Sequence, residues 1–403
     1  MHRTGSLACC AFLVLAFLSG CATIEPESSQ QAQVQTRVQT RVQTHVQTHV
    51  QAQGQAHKPV PAPSQSQIQS DIRFDPQLKK DSASKASRSA HASRPGPEKP
   101  KTTQAINGEA YQLTPLDIRA SGSTGRLRNR QLKELSGLAA SRRYKGLLYA
   151  INDSGNSATL YAIDETGKLL HQWEIAARNR DWEDMTMMTI NGESYIVIGE
   201  TGDNLLRHAT VSLYLLSEPQ WPPTTTTLDV DAKVDFTYED GPKNVEAVSA
   251  AGSSIYLLSK TSQRDEGNSN NGVYQLELSP DTIFASGQEL MTARRVASMA
   301  SRGNSIETTL AATLAGVNLN NPTALEIDSD VNTAYILTYR EVLKIPKAPQ
   351  QTWSQAFASK STRIAWHSLS QAEALSVSPG RAIWFTSEKM GSEIRAIALD
   401  PPL

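Results

Sequence analysis

Glu183-Asp184-Met185-Thr186, followed by Tyr195-Ile196-Val197-Ile198-Gly199-Glu200, is the stretch that decides the fold. A polar residue opens a short apolar strand, and a second strand ends in another polar residue about 15 residues later. The same pairing occurs upstream as Ser136-Gly137-Leu138-Ala139 with Leu147 to Asn152. Downstream it occurs as Glu246-Ala247-Val248-Ser249 with Ile255 to Lys260, Thr323-Ala324-Leu325-Glu326 with Ala334 to Tyr339, and Glu373-Ala374-Leu375-Ser376 with Ala382 to Glu388. Each pair precedes a third short strand. Four also have a fourth, at Leu169 to Ile175, Lys233 to Tyr238, Arg294 to Met299 and Arg363 to His367. No long amphipathic helix stands out, and residues 305 to 316 are the best short candidate.

Short strands repeating at a fixed spacing predict an all-β domain over residues 109–403, a β-propeller of four-stranded blades. Five blades are visible. A sixth, degenerate blade within residues 280 to 322 is the main alternative, and an open β-sandwich is a weaker one. The fifth pair lacks a fourth strand because the chain ends, so Tyr111 to Arg119 is expected to supply it and close the ring.

In a propeller the first strand of each blade lines the central channel and the second runs back beside it. Glu183, Glu246 and Glu373 are therefore expected around one mouth, with Ser136 and Thr323 completing the ring. Asn152, Glu200, Lys260, Tyr339 and Glu388 form a second ring, and Asp153, Asp184, Asp203 and Asn204 lie in adjoining turns. Several carboxylates at one mouth repel, so some must be protonated, paired or bound to a cation. Oxygen ligands without Cys or channel-strand His favour a hard ion such as Ca²⁺ over zinc. The metal set expected is Glu183, Glu200 and Asp203. If the site is catalytic, Glu246 is the base, with Lys260 or Arg180 steadying negative charge. Three roles stay open for the acids: capping of backbone N–H groups, metal binding, and direct acid/base chemistry. Trp182 either stacks on a ligand or packs between blades.

Glu134-Leu135-Ser136-Gly137-Leu138-Ala139, with the later Asp181-Trp182-Glu183-Asp184-Met185, resembles the periplasmic propellers of the SdiA-regulated family and related phytase-like or esterase-like propellers. Gly202-Asp203-Asn204 and Asn244 to Ala247 are similar to turns of the last group. The resemblance implies a propeller with a polar channel mouth able to hold calcium, and it fixes no activity.

Ahead of the domain, Arg3 and the apolar run Leu7 to Phe17 form a signal segment shorter than the ~20 residues of a spanning helix. Leu18-Ser19-Gly20-Cys21 resembles a bacterial lipobox, which implies a signal peptide over 1–20 and a diacylglycerol thioether on Cys21. Acyl chains such as palmitate would hold the protein on a membrane. Ala22 at the following position favours the outer membrane, on its periplasmic or surface face. Residues 21–108 read as a disordered tether: 35 to 50 repeat Gln-Thr-Arg/His-Val, and 94 to 100 are proline-rich. The three cysteines are Cys9, Cys10 and Cys21, so the domain has neither disulfide nor thiolate chemistry. A net charge of −1 gives no nucleic-acid footprint. No Gly-x-Ser-x-Gly, Walker or His-Glu-x-x-His motif occurs. Two functions follow as expectations: an envelope module that binds a ligand or protein partner at its acidic mouth, or a metal-assisted hydrolase of phosphate or carboxylic esters. Glycoside hydrolysis by paired acids is a third.

Overall fold

The computed structural model describes residues 111–261, 271–285, 289–299, 318–328, 330 and 332–399. The signal segment, lipobox and tether expected from the sequence, and the helix expected at 305 to 316, lie outside them.

Strand β1 (Gly122–Arg126) belongs to the last blade. The first blade is β2 (Leu135–Ala140), β3 (Leu147–Asn152), β4 (Thr159–Asp164) and β5 (Leu169–Ile175). The second blade comprises β6 (Trp182–Ile190), β7 (Glu193–Glu200), β8 (Val211–Ser217) and, after the short β9 (Thr227–Leu228), β10 (Ala232–Tyr238). The third comprises β11 (Val245–Ala251), β12 (Ser254–Ser259), β13 (Gly272–Glu277) and β14 (Met291–Ser298). The fourth comprises β15 (Pro322–Asp328), β16 (Thr333–Thr338), β17 (Glu341–Pro346) and β18 (Thr362–Trp366). The fifth is β19 (Ala372–Ser378), β20 (Ala382–Ser387), β21 (Glu393–Ala398) and β1. The inner strands β2, β6, β11, β15 and β19 each lie beside the next, and β19 lies beside β2. The ring is therefore a five-bladed propeller, and the adjacency of β11 and β15 leaves no place for a sixth blade between them.

The strands form because their apolar, β-branched and aromatic residues fit a pleated surface buried on both faces. All six residues of β2, β3, β12 and β16 are buried. Five apolar wedges fill the gaps between neighbouring blades. Trp173 and Trp182 fill the wedge between blades one and two, and Trp384 that between five and one. Side chains of this size each contribute on the order of 2–3 kcal/mol on full burial. Edge exposure is limited by parallel pairing: β10 joins β14 through Phe236↔Met291 to Tyr238↔Ala293, and β9 covers β5.

The closing strand is Gly122–Arg126, not the expected Tyr111–Arg119. Residues 111–121 instead cross the face opposite the polar mouth as an extended strap. Its Tyr111, Leu113, Leu116 and Ile118 pack on the two cores that flank blade one. Pro115, which has no N–H, makes 111–119 a poor ladder strand. Gly125 is demanded by close approach: a Cβ there would sit 2.0 Å from the Thr166 carbonyl oxygen. The strap is pinned by Glu165, whose carboxylate takes both guanidinium N–H groups of Arg381 at 2.7 and 3.2 Å and the Leu116 N–H at 2.6 Å.

Candidate functional site

The polar mouth is built by a repeated backbone defect. In every inner strand the register slips by one residue near its start: between Leu135 and Gly137, Trp182 and Asp184, Val245 and Ala247, Pro322 and Ala324, and Ala372 and Ala374. The residues skipped are Ser136, Glu183, Glu246, Thr323 and Glu373, the polar residues of the sequence repeat. A bulge takes its extra residue out of the ladder and re-aims the side chain. The repeat legible in the sequence is thus a repeat of bulges.

Two of the five serve as ties rather than ligands. Ser136 Oγ donates to the Trp182 carbonyl at 2.9 Å, and Thr323 Oγ1 to the Ala372 carbonyl at 2.7 Å, each bridging to the next blade. The three glutamates carry the charge, and each meets its neighbours differently. Glu246 is buried in an ion pair with Lys260 and accepts a hydrogen bond from Asn244 Nδ2 at 3.0 Å. Lys260 Nζ also donates to the Tyr339 hydroxyl at 2.9 Å. Burial by itself would lower the Lys260 pKa, but Glu246 and its neighbouring acids hold the ammonium well above its ordinary value. Glu373 is pushed well up by burial and by Glu246, and hydrogen-bonds Glu388, so that pair shares a proton.

Glu183 has neither solution. It is 6 % exposed and has no hydrogen-bond donor among the described residues. Its carboxylate stands with those of Asp153 and Asp181, the ligand oxygens all within 4.8 Å of one another. Asn179 assembles this group: its amide donates to the carbonyls of Asn152 and Asp153, both at 2.9 Å, and its oxygen accepts from Trp182 N–H at 3.1 Å. Gly202 makes room, since a Cβ there would lie 2.1 Å from Glu183 Oε1 and 2.5 Å from the Asp181 carboxylate. Burial pushes Asp153 up to about 7, with Asp181 and Glu246 adding to the rise and the Ser154 backbone N–H opposing it. Burial also raises Asp181, and raises Glu183 well above the carboxylate range with Glu246 and Asp153 reinforcing it.

Of the expected metal set, Glu183 stands in this group and Glu200 and Asp203 lie apart from it. Glu200 turns into the wedge between blades one and two, toward the Arg180 guanidinium at 3.7 Å and the Tyr214 hydroxyl at 3.3 Å. Asp203 accepts the His208 N–H at 2.6 Å and stands outside the three-acid group. The second ring is shifted by one residue in the first two blades. The first residues of the inner strands pair with Asn152, Glu200, Ser259, Thr338 and Ser387, so the equivalent mouth positions are the next ones: Asp153, Thr201, Lys260, Tyr339 and Glu388. A shift of one residue along a strand reverses the side-chain direction. Arg180 is thereby held by Glu200, away from the role expected for it. Asn204 and Asn244 meet at 3.1 Å, which joins the Gly202-Asp203-Asn204 turn to the base of Glu246. Sequence reasoning does not single out Asp181 and Asn179 as site residues. The signal for Asp181 is its place two residues before a bulge glutamate, across from the Asp153 turn.

Asp184 is not at the mouth but beneath it. Fully buried, it accepts N–H groups from Met185 and Val248 at 2.8 Å and from Leu325 at 3.1 Å, so one carboxylate joins blades two, three and four. Below it, Ser249 Oγ accepts from Ile327 N–H at 2.9 Å, Thr186 Oγ1 donates to Glu326 at 3.1 Å, and Ser376 Oγ accepts from Ala140 N–H at 2.8 Å. These side chains cross-link the inner strands beneath the acidic bowl of the mouth. Trp182 is wholly buried against Tyr214, so it packs between blades and stacks on no ligand.

Among the described residues no helix is long and apolar enough to cross a membrane. No family model and no curated protein matches the chain. Among solved structures it is similar to the PQQ-bound aldose sugar dehydrogenase of Streptomyces coelicolor, at 10% identity over 70% of this chain and 99% of that one, with a TM-score of 0.37. It is also similar to a luciferin-regenerating enzyme, at 10% identity over 70% and 100%, TM-score 0.34. A third is a Thermus thermophilus protein described as an oxidoreductase (glucose dehydrogenase), at 8% identity over 68% and 98%, TM-score 0.32. At these values the likenesses bear on neither substrate nor mechanism, and the propeller rests on its own strand order and register.

Proposed function

We propose that this chain is an envelope lipoprotein, lipid-anchored through Cys21 at the outer membrane, whose propeller binds an envelope ligand at a calcium-bearing mouth. The observation that carries the site is Glu183: a buried carboxylate without a donor, beside Asp153 and Asp181, where every other mouth glutamate is paired or shares a proton. Three carboxylates in such a space need a counter-charge. Their all-oxygen chemistry suits a hard divalent cation. Gly202, which a side chain would fill, fits the same purpose.

Calcium added to the EDTA-stripped full-length protein in detergent is expected to stabilise it by about 2.7 kcal/mol at a hundredfold excess over Kd. That corresponds to a rise in Tm of roughly 5–10 °C for a domain of this size. Glu183→Gln should abolish the increment while leaving the apoprotein folded. The pH dependence has a definite sign. A carboxyl whose folded pKa is raised keeps its proton in the folded state, so the apoprotein gains stability as pH falls from about 7 toward the unfolded values near 4 and loses it as pH rises. Cation binding requires the ionised form, so the calcium increment should grow as pH rises through 7 and vanish near pH 5. No increment at pH 8 would sink the site. The anchor has its own test: Cys21→Ser protein should partition into the aqueous phase, and retention in detergent would refute lipidation.

A metal-assisted hydrolase is the second reading, favoured by the placement of Lys260 between Glu246 and Tyr339. A bound cation would supply Lewis-acid activation of water. Glu246, ion-paired with Lys260, could accept a proton, and the Lys260 ammonium and Tyr339 hydroxyl could donate to a developing oxyanion. Screening phosphate, carboxylic ester and glycoside substrates with calcium separates the readings. Turnover lost in a folded Glu183→Gln protein would displace the binding module in favour of the enzyme.

A further inference from the structure

Away from the mouth, the seam where the ring closes holds a groove of about 640 Å³ between β1 and the turn that joins β4 to β5. Its lining includes Thr124, Gly125, Arg126, Arg128, Thr166 and Lys168, and contains no Asp or Glu. The two walls are locked together at the backbone. Thr124 Oγ1 donates to the Glu165 carbonyl at 2.7 Å, and Gly125 and Gly167 allow approaches that a Cβ would prevent on either side. Asp164 fixes the turn by accepting from the Thr166 hydroxyl and from the N–H groups of Thr166 and Lys168, at 2.6 to 3.0 Å. The groove is thus set by rigid elements, while its charges stand at the rim.

Two of those charges are uncompensated. Arg126 is held by Glu393 at 2.8 Å and the Gly391 carbonyl at 3.0 Å, but Arg128 and Lys168 are exposed and their side chains have no partner among the described residues. Arg130 continues the basic stretch, which Leu127 and Leu132 anchor in the core, and Lys133 beyond it pairs with Glu134 at 3.5 Å. Arg128, Arg130 and Lys168 therefore stand exposed on one seam. The cavity is of the size that small-molecule sites occupy, several times larger than a bare inorganic ion needs. Guanidinium forks beside an ammonium match phosphate oxygens.

The geometry points to a second binding site, in this seam groove, for a phosphate-bearing anion of headgroup size. Arg128 belongs to the closing segment and Lys168 to the first blade, so an anion that engages both spans the closure. A ligand bound only by the closed ring stabilises it by mass action. The site is independent of the acidic bowl and needs no divalent cation.

The test uses full-length protein in a nonionic detergent with EDTA present. One arm adds inorganic pyrophosphate, a second adds dihexanoyl-phosphatidylglycerol, and dihexanoyl-phosphatidylcholine with matched sodium chloride serves as control. Thermal melts and equilibrium binding are read for wild type, Arg128→Glu/Lys168→Glu and the milder Lys168→Gln. Wild type is expected to melt several degrees higher with at least one anionic probe, with binding at least tenfold weaker in the double variant and weakened in Lys168→Gln. Response to pyrophosphate alone assigns a soluble phosphate ligand, and response to phosphatidylglycerol alone assigns a lipid headgroup. Response to both leaves the phosphate as the recognised group. Silence with both probes, or a response that the folded double variant retains, overturns the site.

Discussion

Replacing Asp184 with alanine is expected to destabilise the propeller by about 4 kcal/mol or more, the largest effect of any mouth or channel substitution. Three buried N–H groups, those of Met185, Val248 and Leu325, lose their acceptor together. Each unsatisfied buried group costs about 1–3 kcal/mol, and water entering the cavity recovers only part of it. In a domain of this size that is roughly a 10 °C fall in Tm. Asp184→Asn keeps one acceptor oxygen but turns an amide N–H toward another donor, so about half the loss is expected to remain. Chemical denaturation of both variants checks this. An Asp184→Ala protein within about 1 kcal/mol of wild type, the size of one ordinary hydrogen bond, would show that the inner strands are held by their wedges of apolar side chains, and not by the central carboxylate. Full burial pushes the Asp184 pKa well up while its three donors pull it down. Asp184→Asn therefore also asks whether the charge matters beyond the hydrogen bonds.

Arg381→Ala is expected to cost about 3–5 kcal/mol, because it leaves Glu165 as a buried carboxylate without its cation. The side chain of Glu165 is 1% exposed and meets Arg381 through both oxygens. Arg381 immediately precedes β20 in the fifth blade, Glu165 follows β4 in the first, and both grip Leu116 of the strap. Losing the pair should therefore loosen the closure specifically. Limited proteolysis is expected to cut between Tyr111 and Arg126 before any other part of the domain. Replacing both partners with leucine should recover most of the stability, since a well-packed apolar pair is often as stable as a buried ion pair. Unchanged protease sensitivity in Arg381→Ala would show that β1 alone holds the ring.

Two of the placements that differ from the sequence reading have one cause each. Tyr111–Arg119 reads as the closing strand because its apolar residues suit a strand. Gly122-Ser123-Thr124-Gly125-Arg126 has little strand propensity, and only its ladder with β21 and the close passage of Thr166 make it one. Glu200 reads as a mouth residue because it ends its strand as Glu388 follows its own. The pairing of Trp182 with Glu200 shows the mouth position to be Thr201.

The information legible along the chain is periodic. Five strand pairs, each opened by a polar residue, specify five blades, and the polar residue marks the bulge, because local pattern and turn chemistry act within a blade. How blades meet emerges only on folding. Assembly of the ring brings Asp153 from one blade to Asp181 and Glu183 of the next, sets Lys260 against Tyr339 of the next blade, and carries Asp184 across the channel to two other blades. These are contacts between residues as many as 141 positions apart, as from Asp184 to Leu325. Their partners are set by the angle at which sheets pack, a quantity to which no short stretch of the chain corresponds.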